Sequence, residues 1–256
     1  MKASLLQVRD VQVRFGGVTA LNGVSFDVFP DEICGLIGPN GAGKTSLFNA
    51  VSRVCDVTRG SIHYAGTEIT KLPAHRVVDL GIARTLQNIG LFAELPVVEN
   101  VMLGAHHVIA PGFAQSVLGT KSLRERSAKA ESEARAILAD LGLSQVADQP
   151  CVGLPFGTFK RIELARALAA RPRLLMLDEP ANGLSHGEVD ELSEVILRIR
   201  KAYSLTVLLV EHHMRMVMRI SDRVVVLDNG LKIAEGVPAE VKANPRVAEA
   251  YLGTAA

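Results

Sequence analysis

Tryptophan is absent, and Phe and Tyr bring the aromatic share to only 4% of 256 residues. The core must therefore be packed from aliphatic side chains. Cysteine is nearly as scarce, with only Cys34, Cys55 and Cys151. An odd, widely spaced set excludes a disulfide framework and a cysteine-built zinc site, and it fits a reducing compartment. No run approaches the ~18–20 apolar residues that span a bilayer; the richest, Leu205–Val210 and Val224–Leu227, have strand length. Charge of one sign is not in excess either. The 28 Lys+Arg against 27 Asp+Glu give a net +1, which argues against a nucleic-acid partner. The opening MKASLLQVRD turns charged at Arg9 and Asp10, so it lacks the apolar stretch of a signal peptide. These absences predict a soluble, cytoplasmic protein that reaches a membrane only through a partner.

What is present is globular in texture, 48% hydrophobic and 21% charged. The length suits one large domain or a core with a subdomain. Leu6, Val8, Val11, Val13 and Phe15 alternate as β structure with one buried face. Glu32–Ile37 reads as a buried strand, Lys44–Val51 as a helix and Ser61–Tyr64 as a strand after the Arg59–Gly60 turn. A short helix is expected between Pro73 and Gly81. From Gly90 to Gly153 the pattern turns helical, with helices over Val97–His107 and Lys121–Leu141 around a Gly/Pro-punctuated stretch, Ala110–Thr120. Alternation then resumes with a helix over Phe159–Arg171, a strand at Leu174–Leu177, an amphipathic helix carrying Val189, Leu192, Val195, Ile196 and Ile199, and two further strands. Near-continuous apolar strands alternating with helices imply an α/β fold with a mainly parallel sheet covered on both faces.

Two motifs carry chemistry. Gly38-Pro39-Asn40-Gly41-Ala42-Gly43-Lys44-Thr45, followed by Ser46, fits the phosphate-loop pattern G-x4-G-K-[ST], placed after a strand and before a helix. Its glycines let backbone N–H groups face phosphates, Lys44 reaches the β/γ-phosphates and the Thr45 hydroxyl can ligate Mg²⁺. Leu174–Leu177 then ends in two carboxylates. Asp178 at a strand tip can hold Mg²⁺, and Glu179 can polarise a water as general base. Ser185-x-x-Glu188 reads as a capping box for the helix that follows.

With these motifs in place, the chain resembles the ATP-binding-cassette ATPases over about residues 4–253. Gln87 in Arg84-Thr-Leu-Gln87 matches the family's Q-loop glutamine, Asn182-Gly-Leu-Ser185 its D-loop, His212 its switch histidine and Phe15 the aromatic that stacks on adenine. Leu154-Pro155-Phe156-Gly157-Thr158 occupies the place of the signature motif. It departs from the usual L-S-G-G-Q, since Pro155 replaces the serine and Thr158 the glutamine while Gly157 remains.

The resemblance implies a P-loop NTPase core over 1–89 and 159–235 with an antiparallel β subdomain, an inserted helical subdomain over 90–158 and a helical tail over 236–256. It implies ATP and Mg²⁺ as ligands, the metal being held by Thr45, Gln87 and Asp178. It also implies a head-to-tail dimer, either a homodimer or one with a paralogous ATPase subunit, in which Gly157 and Thr158 meet the other copy's ATP. Within the family, Phe15-Gly-Gly-Val-Thr-Ala-Leu21, Glu211-His-His-Met-Arg-Met-Val-Met218, Ser221-Asp-Arg-Val224 and the Asn244-Pro…Tyr251-Leu-Gly253 ending resemble the ATPase subunits of branched-chain amino acid importers. That branch implies integral membrane permease subunits, an indirect link to a substrate-binding protein, and a place on the inner face of the cell membrane. A lipopolysaccharide-export ATPase and a non-transport ATPase of the same family are the alternatives.

Overall fold

The computed structural model describes residues 3–85, 90–105 and 121–252. Its strands are β1 (Leu6–Phe15), β2 (Val18–Val28), β3 (Ile33–Ile37), β4 (Arg59–Tyr64), β5 (Thr67–Glu68), β6 (Ile82–Arg84), β7 (Leu174–Asp178), β8 (Thr206–Val210), β9 (Arg223–Asp228) and β10 (Leu231–Gly236). They form a four-stranded antiparallel sheet ordered β2-β1-β4-β5 and a six-stranded sheet ordered β10-β9-β3-β8-β7-β6. In the larger sheet every pairing is parallel except the β9–β10 hairpin at one edge.

The central strands β3, β7 and β8 are buried along their whole lengths. Their side chains divide with a period of two. Cys34, Leu36, Leu174, Met176, Leu208 and Val210 pack with the antiparallel sheet and with the helix α1 (Lys44–Val51). Ile33, Leu175, Leu177, Val207 and Leu209 pack on the opposite face. There they meet α3 (Val97–Met102), α4 (Lys121–Asp140), α5 (Phe156–Ala169) and α6 (His186–Ala202), numbered after the short α2 (His75–Asp79). A third cluster joins Ile37, Val224 and Val226 to Val217 on α7 (Met214–Ile220), Val241 on α8 (Pro238–Ala243) and Val247 on α9 (Pro245–Leu252). Among the described residues no helix is long and apolar enough to cross a membrane.

Several boundaries differ from the sequence reading. The helix expected over Val97–His107 leaves α geometry at Met102 and tightens into a 3₁₀ turn over Leu103–Ala105; His106, His107 and the Ala110–Thr120 stretch lie outside the described residues. Helix α5 starts at Phe156, three residues before the expected Phe159. Pro155, extended at ψ 149°, caps it, and the Pro155 carbonyl accepts from Thr158 and Phe159 N–H at 2.9 and 3.2 Å. Strands β2 and β10 carry polar and glycine positions along their exposed sides, which hid them from an apolar pattern.

Candidate functional site

Three neighbouring strands end at one level. The register pairs Leu36 with Val210 and Val210 with Asp178. The chain therefore leaves β3 into Gly38, β7 into Glu179 and β8 into Glu211 and His212 at the same edge. Open α/β sheets place ligands outside the carboxyl ends of their strands.

The loop between β3 and α1 is shaped by close packing. A Cβ on Gly38 would overlap the Leu227 carbonyl oxygen. Gly43, at φ 99°, would bring one to 2.5 Å from the Ala20 carbonyl oxygen. Neither site accepts a side chain, so the backbone itself forms the loop wall. The loop is tied down by Gly230 N–H donating to Ala42 O at 3.1 Å and Ala42 N–H donating to Pro39 O at 3.2 Å. Lys44 is 8% exposed. Its Nζ donates to the carbonyls of Gly38 at 2.8 Å and Pro39 at 2.9 Å. Burial lowers its pKa, while the Glu179 and Asp178 carboxylates oppose the shift. The ammonium thus sits folded onto the loop, facing two carboxylates. Asn40, Gly41 and Thr45 are exposed, Ser46 is half-buried, and Pro39 and Ala42 are buried.

Asp178 and Glu179 diverge. Asp178 is buried at the end of β7, and its Oδ2 accepts from Arg84 Nη2 at 2.6 Å. Arg84 also donates to Asn49 at 2.7 Å and Ser52 at 3.0 Å, and its guanidinium lies 5.4 Å from the Phe48 ring centroid. Glu179 turns out of the sheet at φ 47°, an uncommon conformation for a side-chain-bearing residue that clusters at functional sites. Its Oε2 lies 3.9 Å from His212 Nδ1, and the imidazole is half exposed. Glu211, absent from the sequence-level site, is fully buried, with its Oε2 also 3.9 Å from His212 Nδ1. Glu211, His212 and His213 bring possible metal-ligand atoms within 4.8 Å of one another. The Glu211 oxygens are already taken by backbone N–H groups, however, which favours a structural role for that carboxylate.

Phe15 ends β1 beside the Gly16–Gly17 turn and is 51% exposed, a ring presented to solvent. The hairpin that carries it is joined to the loop region by Asn22 N–H donating to Gly230 O at 2.8 Å. Gln87 lies outside the described residues. Gly157 and Thr158 form the first turn of α5, with the ring of Phe156 packed on Gly183. A Cβ on Gly157 would stand 2.9 Å from Glu188 Oε1. The expected capping box holds Glu188 there. Ser185 N–H donates to its Oε2 at 2.9 Å, and Glu188 N–H donates to Ser185 Oγ at 3.4 Å. Among the described residues no hydrogen bond joins 155–158 to 38–46.

Sequence reasoning also missed Lys160 and Glu163. Both are buried on α5, with Nζ 3.5 Å from Glu163 Oε2 and 5.5 Å from the Phe156 ring centroid. Burial raises the Glu163 pKa, against Lys160 and Arg166. An apolar-face pattern has no place for such a pair, which explains the omission.

The ABC transporter family model matches residues 21–182, more than half of the chain. A model described as branched-chain amino acid ATP-binding cassette transporter matches residues 232–256. The chain is 40% identical over 255 residues to the high-affinity branched-chain amino acid transport ATP-binding protein BraF of Pseudomonas aeruginosa, covering 100% of both chains. It is 39% identical to the corresponding LivG protein of Escherichia coli (strain K12), again over 100% of both. A nucleotide-free ATP-binding cassette from an ABC transporter superposes with a TM-score of 0.85 at 29% identity, covering 97% of this chain and 99% of that one. The ADP conformation of an ATP-binding cassette of an ABC transporter superposes with a TM-score of 0.85 at 28% identity, covering 98% and 100%.

Proposed function

The chain belongs to the ABC transporter family as an ATP-binding-cassette ATPase, and from that premise we propose that it powers import of branched-chain or related amino acids through separate membrane permease subunits. The full-length similarity to relatives named for that transport supports the reading, as does the match of the C-terminal 25 residues, 232–256, to a branched-chain amino acid model. The lipopolysaccharide-export and non-transport alternatives draw no support from these relatives. The observation that carries the mechanism is the shared level at which Gly38, Glu179 and His212 leave neighbouring strands.

In this mechanism Phe15 stacks on adenine, and the backbone of 38–46 wraps the phosphates. Lys44 gives up the Gly38 and Pro39 carbonyls for phosphate oxygens, exchanging neutral acceptors for charged ones. The oxygen donors of Thr45, Gln87 and Asp178 suit a hard cation. Held by those donors, Mg²⁺ would supply positive charge against the nucleotide phosphates. Arg84 fixes the Asp178 carboxylate from behind. Glu179 orients the attacking water and takes its proton, while His212 contacts the γ-phosphate.

Among the described residues nothing joins 155–158 to the chain's own phosphate loop; in this reading Gly157 and Thr158 serve the other subunit's ATP in a head-to-tail dimer. Residues 90–158 act as the helical subdomain through which the dimer moves the permease. The chain then works on the cytoplasmic face of the membrane, held there by its permease subunits, with a substrate-binding protein delivering cargo on the far side. Co-purification with membrane subunits and reconstitution into vesicles tests the reading. ATP-dependent uptake of labelled leucine or valine is expected. Uptake confined to another substrate class, or outward movement of a lipid, would contradict it.

A further inference from the structure

Glu211 is fully buried yet carries a carboxylate at the edge where the chemistry gathers. Burying such a group is costly unless its oxygens are hydrogen-bonded. Here they are, and to two different loops. Oε1 accepts from Ala181 N–H at 2.7 Å. Oε2 accepts from His212 N–H at 2.9 Å and His213 N–H at 3.1 Å. Ala181 lies two residues beyond Glu179, in the turn closed by Asn182 N–H donating to Glu179 O at 3.1 Å. The other side of Glu179 is pinned by its own N–H donating to Val210 O at 2.9 Å, and Val210 is the residue before Glu211.

We propose that Glu211 is a positioning residue for ATP hydrolysis, a carboxylate brace that locks the loop of Glu179 to the loop of His212. The proposal rests on the reading of Glu179 as general base. Glu179 holds φ 47°, a conformation that persists only when its surroundings over-determine it. The Val210 carbonyl and the Glu211 carboxylate supply that constraint from both sides. The same carboxylate sets the His212 backbone, and with it the 3.9 Å separation of the His212 and Glu179 side chains. The carboxylate presents an acceptor oxygen to the donors on each side. An amide in its place would turn an NH₂ group against one set of N–H donors. Among the described residues the hydrogen bonds of Glu211 go to Ala181, His212 and His213 and none to residues 38–46 or Phe15, so its loss is expected to fall on turnover more than on nucleotide affinity.

The test is Glu211→Gln, which preserves volume. Its kcat is expected to fall at least tenfold while ATP affinity, measured at equilibrium, stays within twofold. The Glu179→Gln/Glu211→Gln double variant should turn over no more slowly than Glu179→Gln alone, because the brace acts through the base. Hydrolysis by Glu211→Gln within twofold of wild type overturns the proposal, as do additive losses in the double variant or a loss of ATP affinity matching the loss of kcat. Full activity of Glu179→Gln alone would overturn the reading of the base instead, so the two failures are distinguishable. If Glu211→Gln does not fold, amide exchange on the wild-type chain decides. Protected N–H groups at Ala181, His212 and His213 support the brace, and exchange at the rate of open loops refutes it.

Discussion

Asp178 and Glu179 are adjacent carboxylates with unlike surroundings. One ends a buried strand against Arg84; the other turns out towards His212. Environment separates the roles proposed for them, which residue type alone leaves shared. Cys34 shows the same control. Burial pushes its thiol up to about 12, from an ordinary value of 9.0, with Arg223 opposing. The folded pKa is the higher one. The stability that this burial contributes is therefore complete below pH 9 and drains away as pH climbs towards about 12. At pH 7–8, alkylating reagents should label the half-buried Cys55 and leave the buried Cys34 and Cys151 intact until the chain unfolds. Mass spectrometry of briefly labelled native protein checks this, and Cys34 labelled as fast as Cys55 would refute the buried assignment. At this scale the sequence marked as candidates the residues that sit in motifs, such as Lys44 and Glu179. It did not reveal Arg84 or Glu211, whose partners lie 94 and 30 residues away in the chain.

Helix α5 shows how an element departs from a family pattern without losing its place. Pro155 cannot donate, but it caps the helix, and its carbonyl accepts from the Thr158 and Phe159 N–H groups of the first turn. Pro155→Ala should therefore cost no more than about 1 kcal/mol, since it removes only pre-ordering of the chain. Gly157→Asp differs. Its Cβ would come within 2.9 Å of Glu188 Oε1 and set a second carboxylate against it, loosening the cap on α6. Loss of that cap costs about 1 kcal/mol. In the proposed dimer the new charge also meets the γ-phosphate. Gly157→Asp should bind ATP as a monomer and fail to dimerise, with melting lowered by a few degrees at most. Sedimentation and nucleotide titration of both variants check this, and equal damage from the two would discredit the proposed role of Gly157. Element positions were legible where periodicity was strong, as in α1 and β7, which match their expected spans to within a residue. The start of α5 was misplaced because the Leu-Pro-Phe-Gly segment carries no apolar period, and β2 and β10 were not recognised because their exposed positions are polar.

For the whole molecule, the interleaving of β3, β8 and β7 assembles the site. β3 and β8, more than a hundred residues apart in sequence, become neighbours with β7 beside them, and the loops after the three strands converge. The sheet order was not legible from the residues alone, because alternating helices and strands permit several orders; the family resemblance supplied the fold. The proposed site, built from one copy's phosphate loop and another copy's Gly157, predicts that ATP turnover per molecule rises with protein concentration. The most direct test is the ATPase rate of wild type and Glu179→Gln across a concentration series, with ATP binding measured on the same samples. Wild-type turnover per molecule is expected to climb with concentration. Glu179→Gln should bind ATP as wild type does and hydrolyse it roughly 10²–10⁴-fold more slowly at every concentration. Hydrolysis by Glu179→Gln within a few-fold of wild type would contradict the account.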